Sequence, residues 1–237
     1  MKVLNDLLWK GDLKIIQNDE NFMYSLDSLL LSKFVTINNS VKNILDIGTG
    51  NAPIPLILSK RSNAIITGIE IQKESYELGI ESVKINNLDS RIKLINEDVN
   101  VIYDELENNY YDVVVCNPPY YKSNTMISEN NSKSIARSEI TISLDDIFKV
   151  SKKVLKNKGR VAMVNRPERL VDIIVCMKKY GIEPKKIRFV YPKIGKPANH
   201  ILIEGMKNGN SELKIMEPLI IHNDDDTYTN DAIEIFN

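Results

Sequence analysis

The chain has 237 residues, of which 43% are hydrophobic and 27% are charged, with a formal net charge of −1 and two cysteines. These values are typical of a globular protein with one large domain; they exclude a disulfide scaffold and argue against a general nucleic-acid binder. The first residues lack the apolar run of a signal peptide, and no stretch of roughly 18 apolar residues occurs. We therefore expect a cytoplasmic protein without a membrane segment.

The cysteines and histidines predict no metal centre. Cys116 and Cys176 each lie inside an apolar run, which indicates buried, unreactive thiols. His200 and His222 are isolated, without the cysteine or paired-histidine spacing of a zinc site.

The first 40 residues predict a hairpin followed by a helix. Residues 12–25 have a turn-rich centre at Asn18–Asn21, which predicts a short hairpin. Asp27 directly precedes an apolar run that starts at Ser28, so we expect a helix with Asp27 as its N-cap. This arrangement would place the segment that includes Tyr24 beside the end of the next strand.

A glycine-rich loop follows the first strand predicted after that helix. The run Asn43–Asn51 is a short apolar strand with Asp46 near its end, followed by Gly48 and Gly50. Glycines let the backbone turn tightly and approach a ligand, and the helix predicted over residues 54–60 presents free amides at its N-terminus. Such a loop alone is a weak signal of a nucleotide site.

Acidic residues follow the next two predicted strands. Residues 64–71 form a strand that contains Glu70, twenty residues after Gly50, the spacing of the acid that binds ribose hydroxyls in dinucleotide folds. Residues 91–95 form a strand that precedes Asp98 and Val99, where an acid could accept from an adenine amine. Each acid alone is more often a surface charge. Together with the glycine loop, they indicate a nucleotide-binding edge.

An apolar strand, Val113–Cys116, stops at Asn117, Pro118, Pro119 and Tyr120. Because proline disfavours helical geometry in the residue before it, the Asn117 amide and the Pro118 carbonyl can face one point beyond the strand. Two acceptors there suit methyl transfer to the exocyclic amine of a planar base, since they favour a tetrahedral nitrogen. The Tyr120 ring can stack on a base that has left its stack. The alternative is an ordinary turn that closes a strand.

Helices and strands alternate along the chain. Further helices are predicted over residues 73–86, 144–156 and 167–180, and further strands over 159–165, 186–190 and 200–206. Such alternation implies a parallel sheet that binds ligands at the carboxyl ends of its strands. The last two strands are joined without a helix, so one of them is expected to be antiparallel. The predicted fold is α/β, a seven-stranded, mostly parallel sheet with helices on both faces.

Positive charge is concentrated in one sector of the chain. Between Lys149 and Lys196 there are fifteen Lys and Arg residues against three acids, a local charge of +12. Most charge runs are solvated helix faces, but an excess of one sign this large favours a surface for RNA phosphates. The residues predicted to contact phosphates are Lys178, Lys179, Lys185, Lys186 and Arg188.

The combined motifs resemble the Rossmann-like class I S-adenosylmethionine-dependent methyltransferases that act on exocyclic amino nitrogens. The motifs are Asp46-Ile47-Gly48-Thr49-Gly50, Glu70, Asp98 and Asn117-Pro118-Pro119-Tyr120. More narrowly, the chain is similar to the bacterial family that methylates the N6 amine of adenosine next to the anticodon of a valine tRNA. That similarity extends over nearly the whole chain, in the segments Lys14–Asn18, Leu26–Leu31, Arg166–Leu170 and Pro218–Ile221.

The resemblance implies S-adenosylmethionine as the cofactor, RNA and most specifically tRNA as the substrate, no metal and no membrane partner. The sequence does not determine the oligomeric state, and a monomer is favoured. It also implies one continuous domain, with residues 1–40 packed on the cofactor side of a catalytic part formed by residues 41–237. The residues implied to bind the cofactor are Tyr24, Asp27, Asp46, Gly48, Gly50, Glu70, Asp98, Val99 and Asn117.

The resemblance assigns catalysis to the motif Asn117, Pro118, Pro119 and Tyr120, in which Asn117 and the Pro118 carbonyl orient the amine and Tyr120 stacks on the flipped base. The chain departs from the family at two positions. Ala52 stands where a third glycine is usual, which is tolerable if its φ is negative. Ser138 stands where histidine is common.

Other functions share part of this pattern. A protein methyltransferase acting on glutamine side-chain amides uses the same Asn-Pro-Pro-Tyr logic, but its family typically carries an additional N-terminal helical domain. Methylation of another RNA or of a DNA adenine fits the same motif. A methyltransferase-like binding module or a nicotinamide dehydrogenase would leave the motif without a role.

Overall fold

The computed structural model describes residues 2–8, 11–18, 26–119 and 142–236. The strands are β1 Lys2–Asp6, β2 Lys14–Asn18, β3 Asn43–Ile47, β4 Ile65–Glu70, β5 Ile92–Asn96, β6 Tyr111–Cys116, β7 Leu155–Asn165, β8 Ile182–Tyr191, β9 His200–Lys207, β10 Lys214–Ile215 and β11 Leu219–Ile220. The helices are α1 Leu26–Phe34, α2 Pro53–Arg61, α3 Lys73–Ile85, α4 Leu144–Val154, α5 Leu170–Lys179 and α6 Asn230–Phe236. In the described part of the chain, no helix has the length and apolar character needed to cross a membrane.

The main sheet has the central strand order β5-β4-β3-β6-β7-β9-β8. β3 pairs in parallel with β4 and β6, and the outer neighbours β5 and β7 continue the parallel arrangement. β9 is antiparallel to both β7 and β8, so it is the single reversed strand of these seven. The predicted mostly parallel seven-stranded sheet is therefore confirmed. The short strands β10 and β11 extend it along β8.

The apolar run in β6 is the centre of the core because helices cover both faces of the sheet. Val113 and Val115 belong to a cluster with side chains of α1, α2 and α6. Val114 and Cys116 alternate onto the other face, in a cluster with α4 and α5. A strand buried on both faces needs apolar residues at successive positions, which is why β6 has a continuous rather than an alternating pattern.

The N-terminal region contains a two-stranded sheet that was not predicted. β2 pairs antiparallel with the upstream strand β1, with Lys2 opposite Asn18 and Asp6 opposite Lys14. Residues 19–25 of the predicted hairpin over residues 12–25 lie outside the described residues, so that hairpin stays a prediction. This two-stranded sheet packs on α3, where the backbone N–H of Ile16 donates to Ser82 Oγ at 2.9 Å. The division of the chain at residue 40 stays a prediction.

Helix α1 also starts earlier than predicted. The helix begins at Leu26, so Asp27 lies within its first turn and the predicted N-cap role of Asp27 is wrong. Asp27 is only 7% exposed, and its Oδ1 lies 3.0 Å from Nε2 of His200 at the start of β9. The Asp27 carboxylate therefore makes a long-range contact with His200 instead of the predicted N-cap interaction with its own helix.

Candidate functional site

The loop between β3 and α2 has the conformation that its glycines predict. Gly48 and Gly50 have φ values of +72° and +58°, and a Cβ on either would meet open space rather than protein atoms. No protein atoms therefore cover the backbone of these two glycines on the side that faces the carboxyl edge of the sheet. Thr49 between them is buried, and its N–H donates to the Ile69 carbonyl at 3.0 Å, which ties the loop to β4.

Ala52 adopts the conformation that the family's glycine would favour. Its φ is 69°, in the left-handed region, and its side chain is fully buried. Alanine was expected to be tolerable here if its φ were negative. Because its φ is positive, the alanine is strained by roughly 1–2 kcal/mol. The loop keeps its path because the Ala52 N–H donates to the Thr49 carbonyl at 3.0 Å.

Glu70 ends β4 directly beside this loop. Its Oε2 accepts from the Gly50 N–H at 2.8 Å and its Oε1 accepts from the Gln72 N–H at 2.7 Å. Burial raises the pKa of Glu70 above its ordinary value, and the backbone N–H groups that donate to it oppose that rise. Each oxygen has a second lone pair, so the carboxylate can brace the loop and still accept from ribose hydroxyls.

Asp46 lies one strand away and is fully buried. Its Oδ2 accepts from Thr49 Oγ1 at 2.6 Å, whereas its Oδ1 has no hydrogen-bond partner among the described residues. Burial raises the pKa of Asp46 to about 7, the Thr49 hydrogen bond lowers it, and the charge of Glu70 raises it. A buried acceptor without a partner, next to a bare glycine loop, fits a ligand that carries positive charge. S-adenosylmethionine is such a ligand, since it has a sulfonium and an ammonium group.

Asp98 and Val99 follow β5, at the same edge of the sheet as Glu70. Val99 is buried, which suits a wall for an adenine ring. Asp98 is half-buried, and its Oδ1 accepts from the Asn100 N–H at 2.8 Å, so it also stabilises the turn that follows the strand. The ends of β5, β4, β3 and β6 are consecutive, so with about 4.8 Å between strands these groups span about 15 Å.

Asn117 and Pro118 follow β6, next to the end of β3. Asn117 is half-buried, Pro118 is buried and Pro119 is exposed. The Nδ2 group of Asn117 donates to Ser28 Oγ in α1 at 3.1 Å. The structure therefore brings the asparagine motif, the glycine loop and the first turn of α1 together. Tyr24 and Tyr120, also predicted for this site, lie outside the described residues, as does Ser138.

Sequence reasoning missed Ser28 and His200. In the sequence, Ser28 is only the start of an apolar helix, and His200 lacks metal-ligand spacing. The signal for His200 is topological: it starts the antiparallel strand β9, so it lies at the edge where the parallel strands end. The thiol of Cys116 is buried as predicted, and burial and the Asp46 charge raise its pKa well above the ordinary value. Cys176 is only half-buried.

The five predicted phosphate contacts do not cluster at this edge. Lys178 and Lys179 end α5 and form ion pairs with Glu183 and Asp145, respectively. β8 starts immediately afterwards with Ile182 opposite Lys207, which places this region toward the amino end of the sheet.

The other three predicted contacts lie along β8. Nζ of Lys185 donates to the Asn210 carbonyl at 3.1 Å, and Nε of Arg188 donates to the Glu217 carbonyl at 3.0 Å. Lys186 lies in the middle of the strand, 3.6 Å from Glu204, and burial lowers its pKa. Contact of these five side chains with RNA stays a prediction.

Comparison with known proteins identifies relatives of the chain. A family model described as "methyltransferase small domain" matches residues 26–178. A tRNA1(Val) (adenine(37)-N6)-methyltransferase of Parabacteroides distasonis is 29% identical over 178 residues, 75% of this chain and 74% of the relative. The enzyme of that name from Aliivibrio salmonicida is 28% identical over 218 residues, 89% of this chain and 87% of the relative.

A solved structure has the same fold. The crystal structure of a predicted O-methyltransferase of Agrobacterium tumefaciens superimposes with a TM-score of 0.73 at 20% identity, covering 90% of this chain and 96% of that chain. Both kinds of comparison agree with the family resemblance seen in the motifs.

Proposed function

The chain belongs to the methyltransferase small domain family and is an S-adenosylmethionine-dependent methyltransferase, and we propose that it methylates the exocyclic N6 amine of an adenine in RNA. The first candidate is the adenine next to the anticodon of a valine tRNA, because that is the substrate in the names of the relatives that match most of this chain. The predicted enzyme class and cofactor are thereby confirmed, while the RNA substrate is the proposal.

The position of Asn117 carries the proposal. It follows a fully buried strand, lies beside the glycine loop, and has its side-chain N–H group on Ser28. Its carbonyl Oδ1 and the Pro118 carbonyl are the acceptors that would orient an amine, whose lone pair becomes a better nucleophile when its hydrogens are held out of the ring plane. Bound S-adenosylmethionine supplies the electrophilic methyl group.

The residues around the cofactor loop have binding rather than chemical roles. Glu70 would accept from ribose hydroxyls while it holds the Gly50 amide, and Asp46 would face the cationic part of the cofactor. Asp98 and Val99 would frame the adenine. The predicted contact of Asp27 with the methionine end is a proposal, supported by its place in the first turn of α1 beside Asn117.

The RNA must approach the carboxyl edge of the sheet in order to bring a base to Asn117. Arg166, directly after β7, and Lys196, between β8 and β9, are exposed cations at that edge. Counting three strand spacings of about 4.8 Å, the end of β8 lies about 15 Å from the end of β6. We therefore expect Arg166 and Lys196 to contact phosphates that flank the target nucleotide.

The test is methyl transfer from labelled S-adenosylmethionine to a transcript of the valine tRNA, with the modified base identified by mass spectrometry. Asn117→Ala should lower kcat by about 100-fold or more, the size of effect seen when one oriented polar group is lost, with little change in cofactor affinity. The matched control is Asn165→Ala, which removes another strand-end asparagine, whose Oδ1 accepts the local backbone N–H of Arg166.

Two outcomes would contradict the proposal. Full activity of Asn117→Ala would remove the acceptor role of this residue. Transfer of label to protein instead of RNA would assign the enzyme to glutamine amides, the alternative that shares the same motif.

A further inference from the structure

The N-terminal sheet of β1 and β2 extends along α3 to the carboxyl edge of the main sheet. β2 starts beside the end of α3, where the Lys14 N–H donates to Asn86 Oδ1 at 3.0 Å. It ends beside the start of α3, where Asn18 Nδ2 donates to Glu74 Oε1 at 2.8 Å. Because α3 follows β4, its start lies at the edge where Glu70 ends that strand. The last residues of β2 are therefore close to the candidate cofactor site.

Gln17 is the last buried residue of β2. It shares a face of the strand with Ile15, which packs in the same core cluster as Ala52 after the glycine loop. Between them, the Ile16 carbonyl accepts from Nδ2 of Asn51 at 2.8 Å, which ties β2 to that loop. The Gln17 side chain therefore lies in the buried space between the N-terminal sheet and the glycine loop.

The Gln17 amide is incompletely hydrogen-bonded. Its Oε1 accepts from Asn5 Nδ2 at 2.9 Å, whereas its Nε2 has no hydrogen-bond partner among the described residues, although Gln17 is only 2% exposed. An amide nitrogen carries two N–H groups, so at least one donor is left over in either orientation of this amide pair. A donor buried to this extent destabilises the protein unless a ligand or a water supplies an acceptor.

The surroundings of the glycine loop offer many acceptors and few donors. Asp46, Glu70 and Asp98 are acceptors, which suit hydroxyls and cationic groups. Pro53 and Pro55 have no N–H, so the start of α2 offers an anion fewer amides than most helices do. The loop N–H groups already bonded within the protein are those of Gly48, Thr49, Gly50 and Ala52. The carboxylate of S-adenosylmethionine therefore needs donors from outside this loop.

We propose that Gln17 is a further cofactor-binding residue, whose Nε2 group donates to the carboxylate of bound S-adenosylmethionine. The N-terminal sheet then forms part of the cofactor site, and ligand binding gives the buried donor of Gln17 its acceptor. The inference concerns the cofactor alone, so it does not depend on the identity of the methylated substrate.

The test is calorimetric binding of S-adenosylhomocysteine, which carries the same carboxylate, to the whole protein. Gln17→Leu should raise its Kd by about 10- to 100-fold, the size expected for a lost hydrogen bond to a charged group. 5′-Methylthioadenosine lacks the amino-acid part, so Gln17→Leu should change its Kd by less than about twofold. Gln17→Glu should weaken binding of S-adenosylhomocysteine at least as much as Gln17→Leu, because it places a second negative charge beside the carboxylate.

Two variants of the N-terminal sheet and its contacts serve as matched controls. Asn5→Ala removes the other half of the amide pair and leaves Gln17 in place. Asn86→Ala removes two contacts between α3 and the backbone of Lys14, at the far end of β2. Both should leave the Kd of S-adenosylhomocysteine within about threefold of the parent value. Gln17→Met keeps the length of the side chain, and it should behave like Gln17→Leu if thermal unfolding shows the leucine variant to be unfolded.

Four outcomes would overturn the inference. An unchanged Kd of S-adenosylhomocysteine in a folded Gln17→Leu or Gln17→Met variant would leave the Gln17 amide bonded to water alone. Equal losses for S-adenosylhomocysteine and 5′-methylthioadenosine would place the contact on the adenosine part. Tighter binding by Gln17→Glu would show that the contacted group is the ammonium. An equal loss in Asn86→Ala would show that packing of the N-terminal sheet, rather than the Gln17 amide, determines the affinity.

Discussion

Two of the buried carboxylates, Glu204 and Asp46, have opposite surroundings. Glu204, 1% exposed on β9, lies 2.8 Å from Arg160 and 3.6 Å from Lys186, and it accepts from the N–H of Thr36 at 2.7 Å. Asp46, 0% exposed on β3, has the hydroxyl of Thr49 on one oxygen and no described partner on the other.

The contrast in their partners indicates that Glu204 belongs to a structural site and Asp46 to a binding site. Glu204 is neutralised by the protein itself, and its cluster joins β7, β8 and the segment after α1. No cation of the described residues forms an ion pair with Asp46, and the negative charge of Glu70 raises its pKa further. A fold that leaves a buried carboxyl uncompensated is less stable without its ligand, and a cationic ligand offsets that cost when it binds.

The largest effect on the free energy of unfolding is expected at Glu204, whose charge is neutralised by Arg160 and Lys186. Glu204→Gln leaves Arg160 and Lys186 without their shared counter-charge, so the free energy of unfolding should fall by about 3–5 kcal/mol. Chemical denaturation measures this loss. Cofactor affinity of the folded fraction should be unchanged, and a loss below about 1 kcal/mol would show that the cluster is not a structural core.

Neutralising Asp46 should instead raise the free energy of unfolding. Asp46→Asn should raise the free energy of unfolding of the cofactor-free protein at pH 8 by up to about 4 kcal/mol, since a pKa near 7 instead of 3.8 is a shift of about three units. It should also weaken cofactor binding. A variant that is destabilised at pH 8 would contradict this assignment.

The same group predicts the pH dependence of the parent protein. Because the folded pKa of Asp46 is raised, its contribution to stability is fully present below about pH 3.8 and is lost as the pH rises through about 7. The stability difference between Asp46→Asn and the parent should therefore grow between these pH values. Urea titrations at several pH values measure it, and a constant difference would show that Asp46 does not titrate in this window.

Glu70→Ala tests the acid that contacts the glycine loop. Cofactor affinity should fall by about 1.5–3 kcal/mol, the range for hydrogen bonds to a charged group, while the protein stays folded. Calorimetry measures the change. The control is Glu77→Ala, which removes an exposed glutamate on the helix that follows and should leave the affinity unchanged. Equal affinities of the two variants would remove Glu70 from the ribose site.

The smallest effect concerns the exposed cations at the carboxyl edge of the sheet. Neutralising Arg166 and Lys196 should make the slope of log affinity for tRNA against log salt less steep by about one to two units. Neutralising Lys178 and Lys179, which are paired with Glu183 and Asp145, should change the slope less. A larger change in slope for Lys178 and Lys179 than for Arg166 and Lys196 would support the phosphate surface predicted from the sequence alone.

The sequence by itself determined the order of strands and helices and the groups at the strand ends. Four consecutive apolar residues before Asn117 predict a strand buried on both faces, and that is where β6 lies. Asp46, Glu70 and Asn117 each lie at or next to the end of a strand, so parallel pairing alone brings them to one edge. These predictions hold because they depend on local periodicity and on a topology that alternation dictates.

Tertiary structure decided which distant residues meet. β2 pairs with the upstream strand β1, Asp27 pairs with His200 instead of capping its helix, and Lys186 neutralises Glu204 instead of facing solvent. Ala52 takes a left-handed conformation that its residue type disfavours, because the loop around it is held by hydrogen bonds. Local patterns carry no information on such partners, since a side chain's neighbours across a sheet depend on strand order and direction. Ser28 reaches Asn117 for that reason, across 89 residues of chain.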